Sequence, residues 1–256
     1  MNAGEFKHLV DKIREHLKPI LDESGAVFYS GRQTLEGKTD FYLMGLNPGG
    51  APDVMKEETI KRSLSDWQGK KPDYWSEYRD AYWGKKQQWT DADNGNSRHQ
   101  KWVRDFCADC LGEDVRNVFS ANAIFKRTKK GVDLPKGTNV DDICWQVHKL
   151  LFSKVQPKYI ICLGHGSGSP FERLKQKQCL DVVGPHKDEP FKMPNGKRSF
   201  YIRSFEAAQI QNKPTGLDRL VRVIGVPHPS WFPLGANWFR EAWEKLSPLT
   251  KLGVGP

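Results

Sequence analysis

Phe41-Tyr-Leu-Met-Gly-Leu-Asn-Pro-Gly-Gly50 is the stretch whose reading decides the fold. From Phe41 to Leu46 the run is apolar throughout, the pattern of a strand buried on both faces of a parallel sheet. It stops at Asn47-Pro48-Gly49-Gly50, where proline removes a ladder donor and two glycines let the chain turn sharply. In an α/β sheet, ligands bind outside the carboxyl ends of the strands, which is where Asn47 would stand. Asn-Pro-Gly-Gly is also ordinary turn chemistry, so its weight depends on what the other strand ends carry.

Working outward, Asn117–Ala121 reads as a strand ending at Asn122, and Tyr159–Leu163 as a strand running into Gly164-His-Gly-Ser-Gly-Ser169. Phe200–Phe205 and Val221–Val226 are further strands, the last followed by Pro227-His228-Pro229-Ser230. Apolar residues at helical spacing predict helices over 5–17, 98–111, 139–153 and 237–246. Ser169-Pro170 has the N-cap and first-turn order of another helix start. Ala26–Ser30 reads as a short edge strand. A helix is also predicted from Pro72 to Gly84, with aromatic residues at 74, 78 and 82. Strands alternating with helices predict an α/β fold, a three-layer α/β/α sandwich around a mostly parallel central sheet. We expect a single domain over 1–256, with a tryptophan-rich insertion at about 51–100 that includes Trp67, Trp75, Trp83 and Trp89.

The chain has 256 residues and a formal net charge of +9, from 40 Lys and Arg against 31 Asp and Glu. That excess points to a polyanion, nucleic acid before membrane, because no basic amphipathic helix or lipidation signal accompanies it. The lack of a long apolar stretch or an apolar leader predicts a cytoplasmic protein, and we expect a monomer. Five cysteines, an odd number, do not read as a secreted disulfide framework.

Asn47, Asn122 and His228 thus stand at three strand ends that converge on one edge of an open parallel sheet. Here the chain resembles the uracil-DNA glycosylase superfamily. GLNPGG at 45–50 looks like its first motif, in the Asn-bearing form of the single-strand-selective and mismatch-type branches, and VPHPS at 226–230 looks like its second. NVFSANAIFKR at 117–127 is similar to the strand whose terminal Asn reads the flipped base. PKYIICLG at 157–164 resembles the strand before the phosphate-contacting Gly-Ser loop. The resemblance covers about 40–235, interrupted by 51–100.

It implies a glycosylase that extrudes a nucleotide, binds the base edge and places water at C1′. Asn47 would hold that water and His228 would donate a hydrogen bond to the pyrimidine O2; Asp53 is an alternative carboxylate. Asn122 would face the Watson–Crick edge, and its amide can match uracil one way round and cytosine the other. Leu46 and Gly49 would complete the base pocket. In the strictest uracil-specific branch a tyrosine at the position of Gly49 blocks the pyrimidine 5-position, and glycine removes that wall. Ser167, Gly168 and Ser169 would meet a DNA phosphate, Lys126 and Arg127 would line the DNA face with Lys129 and Lys130, Ser230 would contact DNA, and Trp231, Phe232 and Leu234 would lie where the wedge enters the duplex. One branch holds an iron–sulfur cluster, and Cys107-Ala-Asp-Cys110 and Cys144 invite the comparison. The cysteine beside the base-reading strand is missing, so we expect no metal and no cofactor. No lysine near the motifs presents itself as a Schiff-base nucleophile, which favours plain hydrolysis. Two substrates stand level: uracil or a 5-substituted uracil in repair, and a bulky modified cytosine such as glucosylated hydroxymethylcytosine in phage DNA. The alternative from another class is a catalytically silent DNA-binding protein of the same fold.

Overall fold

The computed structural model describes residues 1–69, 71–83, 94–129, 134, 139–176, 180–192, 199–209, 220–234 and 236–246. Strands β2 (Phe119–Asn122), β1 (Phe41–Gly45), β3 (Tyr159–Leu163) and β7 (Val221–Val226) lie side by side and parallel, in that order. β6 (Ser199–Gln209) runs antiparallel beside β7, and β4 (Leu180–Val182) and β5 (Lys187–Lys192) each pair with β6 antiparallel. Among the described strands only β6 is reversed, so the sheet is mostly parallel by strand direction.

Pleating sorts the core into two halves. Tyr42, Met44, Phe119, Ile160 and Val223 point to one face, where helices α1 (Ala3–Leu17), α2 (Ile60–Gly69), α5 (Asn139–Val155) and α6 (Pro170–Gln176) cover them. Phe41, Leu43, Tyr159, Ile161 and Ile224 point to the other, beneath α3 (Glu77–Asp80), α4 (Arg98–Phe106) and α7 (Asn237–Leu246). The three layers follow from burial of both faces of the central strands. Among the described residues no helix is long and apolar enough to cross a membrane.

Local chemistry sets the helix starts. Asn2 and Glu5 form a reciprocal capping box on α1, and Ser97 and Gln100 do the same on α4. The α4 helix widens into a π turn over Cys107–Leu111 and stops at Gly112, whose φ of 68° is the left-handed C-cap conformation.

Two predicted elements come out differently. The helix expected over 72–84 is a single turn, α3. Gln100 reaches across from α4 and its Nε2 donates to the carbonyls of Glu77 and Ala81, at 2.7 Å each, and Ala81 is already extended. Carbonyls taken by a neighbouring side chain are lost to the helical ladder. Gly84 and Trp89 lie outside the described residues. The segment 26–30 is no continuous strand: Phe28 makes an isolated antiparallel bridge with Ala121 of β2, and Gly25, just before the segment, makes another with Lys126 beyond the end of β2. Helix α2 was not foreseen, although Ile60, Leu64 and Trp67 bury at helical spacing.

One buried polar pair crosses the first layer. The Tyr42 hydroxyl meets His148 Nδ1 at 2.8 Å, and His148 Nε2 lies 3.1 Å from the Ala123 carbonyl. Burial drives His148 down to about 4, so the folded state holds it neutral. Between about pH 6.5 and 4 the unfolded chain binds more protons at this position, and stability must fall as pH falls through that window. At about 1.4 kcal/mol per pKa unit the loss is of order 3 kcal/mol. Urea unfolding of the wild type and His148→Phe across this range should show a shallower acid slope in the variant.

Candidate active site at the carboxyl edge of the sheet

The parallel register sets Gly45 level with Asn122. An added Cβ at Gly45 would collide with Asn122 Oδ1, so the glycine lets the buried amide lie across the end of β1. The backbones then zip further: Ala123 N–H donates to Gly45 O at 2.8 Å and Ile124 N–H to Leu46 O at 2.9 Å. Asn122 Nδ2 donates to the hydroxyl of half-buried Tyr29 at 2.8 Å. Desolvation raises the Tyr29 phenol well above its ordinary value, so it stays protonated.

Asn47 stands just beyond. Its Nδ2 donates to Thr128 Oγ1 at 2.9 Å and to Pro48 O at 3.0 Å, which leaves Oδ1 as the acceptor it can offer to a water. The neighbouring Arg127 is 6% exposed and grips the same loop from inside. Its Nη1 donates to Gly49 O, its Nε to Ser24 Oγ at 3.2 Å and its Nη2 to Glu58 at 2.9 Å. Gly49 is exposed, and a Cβ there would meet nothing within 4 Å.

The third element is the turn after β7. The Ser230 backbone N–H donates to His228 Nδ1 at 3.2 Å, and desolvation lowers the His228 pKa. A neutral ring that accepts at Nδ1 carries its proton on Nε2, as a donor. Ser230 Oγ lies 3.1 Å from Nδ1 of His99, and the His99 ring meets His228 edge-on at 5.3 Å. Burial, then the neighbouring His228, hold His99 down at about 3. Behind His99, Tyr78 stacks on it at 6.0 Å and Trp83 tilts over it at 5.6 Å. Both rings also touch Tyr29, each at 5.8 Å. A continuous chain of contacts therefore joins Asn122 to His228 through Tyr29, Tyr78, Trp83 and His99. The edge offers one neutral donor at His228, one acceptor at Asn47 and an amide at Asn122, with no ionised group among them.

Other expected contacts are distributed unevenly. Trp231 is 78% exposed, next to His228, whereas Phe232 is anchored edge-on against Phe200 at 4.5 Å. Leu46 packs against the first core cluster. Ser167 and Gly168 are exposed, but Ser169 is buried, and its hydroxyl accepts the Glu172 N–H as the cap of α6. Lys126 is paired with Glu23 at 3.1 Å, and burial makes Arg127 a brace of the first loop instead of a DNA-facing cation. Lys130 lies outside the described residues. Asp53 is exposed on the loop. Burial pushes the Cys107 and Cys110 thiols up, away from the thiolate form a metal would need. A surface hollow of about 380 Å³ lies elsewhere, beside Arg104 and an Arg79–Asp114 ion pair near the amino end of β2.

Comparison with protein-family models finds no match, and comparison with curated proteins finds none either. The site is read from its own geometry. Sequence reasoning missed Tyr29, His99 and Thr128. His99 sits inside a capping box, Thr128 inside a basic run and Tyr29 in a short apolar segment, and none of these contexts signals a contact made across the fold.

Arg127 gives the sharpest structural test. Arg127→Met keeps the stem and removes three hydrogen bonds made by a buried charge, each worth about 1.5–3 kcal/mol, while relief of the cost of burying that charge offsets much of the sum. The denaturation midpoint should drop by the equivalent of about 2 kcal/mol at unchanged m-value.

Proposed function

We propose that the protein is a cytoplasmic, monofunctional DNA glycosylase of the uracil-DNA glycosylase superfamily. It flips out a non-standard pyrimidine and hydrolyses its N-glycosidic bond. The observation that carries this reading is the His228 turn: the Ser230 amide and burial together favour a neutral imidazole with its proton on Nε2. Water adds to C1′ as the C1′–N1 bond breaks, the bonding electrons leave with the base, and negative charge gathers on O2. A fixed neutral donor stabilises that charge without first having to gain a proton. Asn47 Oδ1 orients the water by accepting one of its hydrogens. An amide is no strong base, so the reaction draws on the dissociative character of the bond cleavage. The base leaves as an anion that takes a proton from solvent, the added water gives up its second proton to solvent, and an abasic site remains.

Trp231 is the wedge in this reading, because its ring is free where that of Phe232 is packed. The open space at Gly49 favours a base with a substituent at the 5-position. It is compatible with 5-substituted uracil and with a glucosylated hydroxymethylcytosine.

The test is mass spectrometry of small molecules released from DNA containing uracil, 5-hydroxymethyluracil, thymine mismatches or glucosylated hydroxymethylcytosine. Asn47→Ala and His228→Ala should each lower release by about 10²–10³-fold, the scale of removing one group that positions the water or stabilises the transition-state charge. DNA affinity should stay within a few fold. Silence of the wild type across the panel, with affinity intact, would replace the enzyme by the DNA-binding alternative.

A further inference from the structure

Residues 127 and 128, just beyond β2, hold the first loop from two directions. The Arg127 backbone N–H is anchored on Ser24 O at 2.7 Å, and its guanidinium donates to the Gly49 carbonyl. Buried Thr128 takes the Asn47 side chain, its Oγ1 lying 2.9 Å from Nδ2. A hydroxyl can serve either end of an amide by turning its hydrogen, so Thr128 alone does not decide which end it meets. The Pro48 carbonyl does. It lies 3.0 Å from the same end and can only accept, and an amide oxygen turned towards it would set lone pair against lone pair. The nitrogen end is therefore the inner one. One amide hydrogen goes to Pro48 O and the other to Thr128 Oγ1, and Oδ1 faces the site.

Which end of a water Asn47 holds matters to the reaction. A water that donates to Oδ1 keeps its lone pairs for C1′, whereas one that accepts from an amide N–H commits a lone pair to the amide and is the poorer nucleophile. The Pro48 carbonyl engages one amide hydrogen of the two, so without the threonine hydroxyl an N–H would compete for the same water. We propose that Thr128 is a positioning residue that takes this second hydrogen, keeps Asn47 a pure acceptor and so has the attacking water held by its own hydrogen. This inference rests on the glycosylase reading. In the step it serves, a water lone pair forms the C1′–O bond while the C1′–N1 pair leaves with the base. One water proton stays on the new hydroxyl and the other passes to solvent. Thr128 acts on that step only through Asn47.

The experiment measures the single-turnover rate constant and the DNA affinity on whichever oligonucleotide of the panel the wild type cleaves. Thr128→Val deletes the hydroxyl and keeps the branched shape; Thr128→Ala deletes it without the added methyl group. Both should slow release about three- to tenfold, the scale of one neutral hydrogen bond, with DNA affinity unchanged. Thr128→Ser keeps the oxygen and should restore the wild-type rate. In an Asn47→Ala background Thr128→Val should cost nothing further, because the group it positions is gone. A wild-type rate in both hydroxyl-deleting variants, an affinity that falls while the rate constant holds, a serine variant as slow as the valine one, or an equal loss in the Asn47→Ala background would overturn the proposal and leave the glycosylase reading standing. Release of no base from any oligonucleotide by the wild type would overturn the glycosylase reading, and this inference with it.

Discussion

Gly45 lies level with Asn122 across the first two strands of the parallel sheet, and the site depends on the missing side chain. Parallel pairing brings the ends of consecutive βα units to one edge, but it does not by itself make room there. At Gly45 the room is taken by the Asn122 amide. At Gly225, on β7, it is taken by His165 and Phe171, which a Cβ would strike at 2.7 and 2.8 Å. A methyl group at either place would displace a strand end or the side chain above it. The edge is thus built on two glycines whose role is close approach, not turning.

What gathers at that edge is neutral. Burial lowers His228 and His99, and raises the phenol of Tyr29. Ionised groups stand one layer behind: Arg127 with Glu58, and Lys126 with Glu23. In the proposed glycosylase, an imidazolium at this edge would carry its own desolvation penalty and would hold a DNA phosphate as readily as a departing base. Neutral donors with fixed tautomers confine their effect to the place where charge develops.

Much of the fold was legible because the central strands are apolar runs with punctuation at their carboxyl ends. Phe41–Gly45, Tyr159–Leu163 and Val221–Val226 were read almost to the residue, since continuous burial leaves little freedom in composition. The short turn α3 was overread as a long helix because its aromatic periodicity is helical while its carbonyls are claimed by Gln100 on another element. Asn47, Asn122 and His228 were legible as polar residues ending apolar runs. Arg127 was read as a surface cation because a basic run looks alike whether its members face solvent or the Gly49 carbonyl; only tertiary contact separates them. Tyr29 and His99 left no local mark, since each acts through a partner far away in sequence.

A tryptophan-rich insertion can serve as a packing face or as a platform for a ligand ring. Its placement joins them. Trp67 lies under Phe28, with ring centroids 4.6 Å apart, and its indole N–H donates to Ser30 O at 2.9 Å. On the opposite side Tyr78 and Trp83 hold the Tyr29 ring, while Glu77 N–H binds Tyr29 O and Gly31 N–H binds Trp75 O. The segment 28–31 is therefore clamped from both layers of the sandwich by one insertion. Buried aromatic contacts are stiff because their rings have few rotamers and fill their volume closely. A clamp of that kind converts packing into position: the rings that secure Phe28 to Gly31 also fix the one hydroxyl in contact with the Asn122 amide. Packing of the insertion and placement of that hydroxyl are here one property, and loosening the first must shift the second.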